Sequence, residues 1–491
     1  MTARQVVLTV AGENVAAAAR RDALANLSKQ EVAFFDARDS GEVVTRLSGD
    51  AAALQKALTR ELSGGMASAL SAVGAVAMLL SISPHLALLS LAVFPPVFLF
   101  ASWRGAKMRR AQARVQASLA EANAVAQRAL GSIRTLRAVG CEAALLKQYD
   151  AAVLESRDRA VDVGAQGAAF GSVVHLAANC SLLVVLTVGG DMVMTGALSP
   201  GDLSSFLMYS LYLGFASSGI SGAYADLARA SGATERLLAL TDRATLMPAS
   251  PSGAVTLDPR GGPYGVVFDK ATFTYPTRDE PALVDFDLAV APGERVAVRG
   301  ASGSGKSTVL RLASRLYDCD RGSVAVGGVD VRALDGAYRG AVVGVVPQEP
   351  VLLSGSIAAN IALGALDEKA GDAASPSRAR CLAAAAKAGL DPLLARLPGG
   401  LDTEVGEAGV QLSGGEKQRV AIARLFYADP PVVLLDEFSS ALDDATMRAV
   451  AKNLEAALAG RTVLAVAHQA DVLAAIGIDR VVDVAAPPPA L

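Results

Sequence analysis

Nine consecutive residues, Gly300-Ala301-Ser302-Gly303-Ser304-Gly305-Lys306-Ser307-Thr308, have the types and spacing needed to hold a phosphate chain. Glycines let the backbone curl so that successive N–H groups point inward at anionic oxygens. Lys306 supplies a full positive charge, and the Ser307 hydroxyl is placed to hold Mg²⁺. A second pattern, Val432-Val433-Leu434-Leu435-Asp436-Glu437, is an apolar run ending in two acids. An acid at the carboxyl end of a buried strand sits where the metal of a phosphate loop would be, so Asp436 is expected to reach Mg²⁺ through water. Glu437, next along, is placed to polarise an attacking water as general base. A third stretch, Leu412-Ser413-Gly414-Gly415-Glu416-Lys417-Gln418-Arg419, sets small residues ahead of a helix. Backbone N–H groups and Ser413 would then face out of a helix N-terminus as a second anion site. One nucleotide needs one phosphate cradle, so Ser413, Gly414 and Gly415 are expected to grip ATP held by another subunit. The plainer alternatives are a glycine-rich loop with a chance lysine, two acids closing a surface strand, and an ordinary capped helix.

The elements around these residues agree with that chemistry. Val296-Ala297-Val298 precedes the glycine loop as a short strand, and Val309-Leu310-Arg311-Leu312 follows it as a helix start. From 264 onward strand-like runs alternate with helical ones, which predicts an α/β domain over 264–491. Within it, 365–380 reads as a loop, and 485–491 as an apolar, proline-rich tail. Residues 243–263 are rich in Pro, Gly and Ser and read as a linker.

Residues 1–242 have another character. After a polar, helical stretch to about 61, no Asp, Glu, Lys or Arg occurs from Leu62 to Trp103. That run is too long for one membrane helix and right for two, since each needs about 20 residues. Ser83-Pro84-His85 is the natural turn between them. Val163–Gly190 and Leu203–Ala225 are two further charge-free runs, joined across Gly196, Pro200 and Gly201. Arg and Lys flank the outer ends of these runs, which places those ends on one, cytoplasm-like side. About four spans are therefore expected, with 104–162 forming helices that extend beyond the membrane. A buried, all-helical core is the alternative source of such runs. His175 and Asn179, one turn apart in a span, read either as helix–helix hydrogen bonding or as a substrate contact.

Composition bounds the rest. The mean hydropathy is +0.38, high for a soluble enzyme. Charge is nearly balanced, with 45 Lys and Arg against 48 Asp and Glu, so no nucleic-acid partner is expected. Cys141, Cys180, Cys319 and Cys381 have neither metal nor disulfide spacing. The first ten residues are too short a hydrophobic core for a signal peptide.

Glycine loop, helix-leading signature and acidic strand end, in the order 300, 413, 436, resemble the ATP-binding cassette (ABC) proteins. The resemblance implies further roles. Tyr275, in Phe273-Thr274-Tyr275-Pro276, falls where the family's aromatic residue stacks on adenine. Gln348, in Val346-Pro347-Gln348-Glu349-Pro350, resembles the glutamine that contacts Mg²⁺ and water and senses the membrane domain. Asp443, closing Ser440-Ala441-Leu442-Asp443, resembles the segment that crosses the dimer interface, and His468 resembles the switch histidine on the terminal phosphate. Residues 403–409 are similar to the segment that meets coupling helices in exporters. The first half is similar to half-size exporters of the multidrug-resistance and peptide-transporter subfamily, mitochondrial members above all. There, Phe34-Phe35-Asp36 to Asp50 resembles the first coupling helix, Val139 to Tyr149 the second, and Gly201 to Tyr209 the start of the last membrane helix.

The resemblance thus implies an exporter-type helical transmembrane domain over 1–242 and an α/β P-loop nucleotide-binding domain over 264–491. It implies an ATPase coupled to export, with ATP and Mg²⁺ bound and a second half-transporter as partner, identical or not. The location implied is a multi-pass position in the mitochondrial inner membrane, or alternatively the plasma or vacuolar membrane. Some features depart from the family. The chain is expected to begin inside the second of six membrane helices, which motivates an alternative in which it binds ATP and regulates a full-length partner. Arg299 stands where the strand is usually apolar, and Gln469-Ala470 follow His468 where arginine and an apolar residue are usual. The substrate is left open among peptides, lipids, hydrophobic drugs and tetrapyrrole- or metal-related compounds.

Overall fold

Runs of Ala, Leu, Val and Gly alternate with polar runs along the first half of the chain, and both kinds fold as helix. The computed structural model describes residues 3–38, 40–92, 94–248, 253–363, 377–406, 409, 412–439, 444–467 and 470–485. They belong to two compact units: Met1–Ala16 with Ala52–Thr234, and Ala17–Ala51 with Glu235–Leu491.

The first unit is helical. Helix Leu62–Ile82 ends at Ser83, whose extended backbone (φ −155°, ψ 106°) starts the next helix. The Ser83 hydroxyl accepts the Leu86 N–H at 3.4 Å, and Pro84 fills the first helical position, so the hairpin turns where expected. That next helix, Pro84–Leu91, is short, and another runs Phe94–Gly131. Pro95 and Pro96 fall in its first turn, where a missing N–H costs little; deeper in a helix they would break the hydrogen-bond ladder. Among the described residues, three helices are long and apolar enough to cross a membrane: Gly41–Ile82, Glu142–Met194 and Pro200–Thr241. The fourth expected span, 84–103, is divided between two helices. Glu142–Met194 has 53 residues, about 80 Å of helix against about 30 Å of hydrocarbon, so it projects well past a bilayer.

Small residues set the helix packing in this unit. A Cβ on Gly65 would lie 2.9 Å from Ala223 Cβ, and one on Gly219 would lie 2.3 Å from Ser68 Oγ. Leu62–Ile82 and Pro200–Thr241 therefore approach closely along a face of small side chains, as helices do in lipid. Elsewhere Leu70, Leu176 and Phe215 stay exposed, and only 6–17% of the three apolar windows is buried within the protein. Surfaces of that kind suit acyl chains as solvent.

The second unit carries two sheets. Strands β1 (Val266–Thr274), β2 (Pro281–Val290), β4 (Arg321–Val326) and β5 (Val329–Asp330) form an antiparallel sheet in the order β2-β1-β4-β5. Strands β3 (Arg295–Arg299), β6 (Val343–Val346), β7 (Val432–Asp436), β8 (Thr462–Val466) and β9 (Arg480–Asp483) form a parallel sheet in the order β6-β7-β8-β3-β9. The central strands β3, β7 and β8 are near-continuous Val, Leu and Ala and are buried in the two core clusters, as strands covered on both faces are. Register is what matters for the site. Val298 of β3 and Asp436 of β7 both pair with Val466 of β8, so the carboxyl ends of three neighbouring strands lie level.

A segment from the start of the chain also belongs to this unit. Helix Val32–Asp36 packs Val32 and Ala33 against the core between the sheets. Before it, Glu31 has a side chain only 3% exposed and pairs with Arg243 at 2.6 Å. Glu31 also accepts from the Thr245 hydroxyl and the Leu246 N–H. Burial alone would raise this carboxyl; the hydrogen bonds from Arg243 and the backbone outweigh it and hold the group below the ordinary carboxylate range. The Phe34 ring lies under the guanidinium groups of Arg38 and Arg243, at 4.2 and 4.6 Å.

Candidate active site

β3 delivers the chain to Gly300 at the level edge of the parallel sheet, and helix Lys306–Ala313 leads it away. The turn between them demands glycine. Gly305 has φ +94°, and a Cβ there would strike Ala282 O at 2.5 Å; a Cβ on Gly300 would meet Ser304 Oγ at 2.5 Å. No side chain caps the helix at Gly305, which leaves first-turn N–H groups to an outside acceptor. Lys306 is 7% exposed, and its ammonium donates to the carbonyls of Gly300 (3.0 Å) and Ala301 (2.8 Å). Ser302 and Gly303 lie exposed on the loop. Ser304 is fully buried, and its hydroxyl has no partner among the described residues. Arg299, unexpected in the strand, pairs with Asp483 of β9 at 3.2 Å; both are exposed, so the pair contributes little.

Across the sheet edge, Ser307 Oγ donates to Asp436 Oδ1 at 3.1 Å. Burial pushes the Asp436 carboxyl up, the charge of Glu437 adds to this, and the Ser307 hydrogen bond works against it. Glu437 takes a left-handed backbone (φ +42°), with its N–H bonded to Val466 O at 2.9 Å. Strain of that kind is held only where surroundings fix it. The Gln348 side-chain amide donates to Glu437 Oε2 at 2.8 Å. Lys306, Ser307, Gln348, Asp436 and Glu437 are therefore gathered at one sheet edge from three stretches of sequence. His468 and Asp443 lie outside the described residues.

Tyr275 stands beside the loop helix. Its hydroxyl is 3.0 Å from Thr308 Oγ1 and accepts from Arg311 Nη1 at 3.0 Å. Its half-buried ring meets Phe273 and Tyr317 edge-on, at 4.8 and 5.3 Å between centroids.

Ser413 also caps its own helix. Its hydroxyl accepts from Glu416 N–H, and Glu416 Oε2 accepts from Ser413 N–H at 2.7 Å, a reciprocal cap on helix Gly414–Ala428. The Ser413 oxygen is thus turned to its own helix, although Ser413 and Gly414 remain exposed. Burial would raise Glu416, but hydrogen bonds from Ser413 and Arg396 hold it low.

Two residues not singled out from sequence complete the set. Gln418, fully buried, donates to Pro347 O at 3.2 Å and so ties the signature helix to the residue before Gln348. Its signal was a polar residue on the apolar face of a helix that also buries Val420, Ala421 and Ile422. Arg311 lies one helical turn past Thr308, the spacing that lets both meet one tyrosine.

Comparison with known proteins agrees with this architecture. Residues 1–217 match the model of the ABC transporter transmembrane region, and residues 283–440 match the ABC transporter model. The mouse protein "ATP-binding cassette sub-family B member 10, mitochondrial" is 38% identical over 467 residues, 95% of this chain and 64% of that protein. The yeast (Saccharomyces cerevisiae) "ATP-dependent permease MDL1, mitochondrial" is 34% identical over 469 residues, 95% of this chain and 66% of its own length. This chain thus spans slightly less than two thirds of the curated relatives it matches. A solved structure of a bacterial Atm1-family ABC exporter with ATP bound is similar, with a TM-score of 0.79 and 27% identity over 98% of this chain and 82% of that one. With the level sheet edge, the glycine loop and the Ser307–Asp436 and Gln348–Glu437 contacts in place, the chain belongs to the ABC transporter family.

Proposed function

We propose that the chain is an ATP-hydrolysing ABC exporter subunit that works as a dimer in a membrane. The Gln348–Glu437 contact beside the Ser307–Asp436 pair carries this reading. It gathers on one edge a carboxylate suited to act as general base, a hydroxyl–carboxylate couple suited to a metal, and a glycine loop suited to phosphate. The residues fit ATP with Mg²⁺: the loop admits no Cβ at Gly300 or Gly305, and the orphaned Ser304 hydroxyl and the Lys306 ammonium add donors for phosphate oxygens. Ser307 and Asp436 would hold Mg²⁺, which when bound supplies charge neutralisation for phosphate transfer.

Lys306 would leave the loop carbonyls for phosphate oxygens and offset charge that builds there. Glu437 would orient and polarise the attacking water, and Gln348 would fix the Glu437 rotamer by its hydrogen bond. His468 is assigned to the terminal phosphate, and Tyr275 to the adenine. Ser413, Gly414 and Gly415 of one copy would close on ATP bound by the other, with Asp443 crossing the interface. Hydrolysis would then open the clamp, and helix Val32–Asp36 would pass that movement to the membrane helices. The relatives named as mitochondrial support a mitochondrial membrane as the location; organelle fractionation with an antibody to the chain tests it. The apolar spans suit a substrate without high net charge.

The experiment is Glu437→Gln in the detergent-purified chain. ATP binding should persist while turnover falls by about a hundredfold or more. Hydrolysis at the wild-type rate would remove Glu437 from the role of base.

A further inference from the structure

Helix Val32–Asp36 is tied to the nucleotide-binding unit by a contact that does not involve Gln348. The Tyr317 hydroxyl donates to Asp36 Oδ2. Tyr317 is 6% exposed, and burial together with the Asp36 carboxylate pushes its hydroxyl well above the ordinary phenol range. It therefore stays protonated and remains a donor. Its ring is wedged against Phe273 (5.2 Å) and Tyr275 (5.3 Å). Tyr275 is in turn fixed by Thr308 and Arg311, both on the helix that follows the phosphate loop. Aromatic rings packed this closely cannot turn independently, because interiors at crystal density leave no room for one to move alone.

We propose that Tyr317 is a positioning residue: through its hydrogen bond to Asp36 and its ring contact with Tyr275, the base end of the nucleotide site is mechanically joined to helix Val32–Asp36. The inference rests on the nucleotide-site reading given above. A base laid on Tyr275 restrains that ring, Tyr275 restrains Tyr317, and the Tyr317 hydroxyl restrains Asp36. At its other end the helix is anchored through Glu31 to Arg243. It is thus held at both ends, and restraint at one end is felt along its length.

The test is hydrogen–deuterium exchange of the 32–36 amides in the full chain in detergent micelles. The probes are a non-hydrolysable ATP analogue with Mg²⁺ and tripolyphosphate with Mg²⁺, which has no base. The analogue should slow exchange at 32–36 by about threefold or more; tripolyphosphate should not. Tyr317→Phe should bind the analogue within about twofold of the wild type and lose the response. Asp36→Ala should lose it too, and stands in if Tyr317→Phe fails to fold. Asp36→Asn keeps an acceptor and should retain it. A full response in Tyr317→Phe or Asp36→Ala, or equal protection by tripolyphosphate, overturns the inference. Absence of analogue binding to the wild-type chain instead removes the nucleotide site, and the inference with it. Binding without a base-dependent response sinks the inference alone.

Discussion

Lys306 is a charged side chain held by weak acceptors. Its ammonium sits on the Gly300 and Ala301 carbonyls, neutral acceptors that a phosphate oxygen outcompetes because a charged acceptor makes a stronger hydrogen bond. Lys306→Ala should weaken ATP binding by about tenfold or more, measured by titration with a fluorescent ATP analogue; unchanged affinity would count against the phosphate-site reading. Ser413 is a residue whose sequence and structure part company. Its place in the signature was legible, but the direction of its hydroxyl was not. Glu416, three residues on, competes for it through the reciprocal cap, and Arg396, which orients Glu416 at 2.6 Å, is distant in sequence.

At the scale of elements, the parallel sheet acts as the ruler. Because β3 and β7 flank β8 in level register, the glycine loop and the acidic pair emerge side by side. Helix Gly414–Ala428 reaches this edge through Gln418, whose amide holds the Pro347 carbonyl. Gln418→Met keeps the volume and removes the tie. It should lower the ATP hydrolysis rate several-fold at unchanged ATP affinity, with a melting point within about 4 °C of the wild type. Equal turnover in the variant would make Gln418 a packing residue only. The apolar run at 84–103 belongs to this scale too. Charge-free composition predicted a span there, and Pro95 and Pro96 fall in the first turn of the helix that starts at Phe94, where proline is tolerated.

At the scale of the molecule, the chain ties its beginning to its middle. Asn26 Nδ2 donates to the carbonyls of Leu240 and Arg243, Arg236 grips Asp50 at 2.8 Å, and Glu31 grips Arg243. The Glu31 carboxyl is held below its ordinary range, so its contribution to stability is present above the unfolded-state pKa and is lost as pH falls through the lowered value. Glu31→Gln should cost about 1–3 kcal/mol at neutral pH. The gap to the wild type should close on acidification below the ordinary carboxylate range. Thermal unfolding of the detergent-solubilised chain from pH 7 downward checks this; a constant gap at every pH would place the loss in packing rather than charge.

Local pattern determined much of this protein. Glycine spacing, an apolar run ending in acids, and charge-free runs are properties of neighbouring residues, set by backbone sterics and solvent preference within a few turns. They sufficed to single out the glycine loop, Asp436 and Glu437 as candidates and to foresee the helical first half and the α/β second half. Only the tertiary structure decided which distant groups meet. Gln348 on Glu437, Gln418 on Pro347, Tyr317 on Asp36 and Glu31 on Arg243 each join residues at least 71 positions apart. Such pairs depend on strand order, register and helix packing, which arise from the burial of the whole core, and no periodicity in a single stretch encodes them.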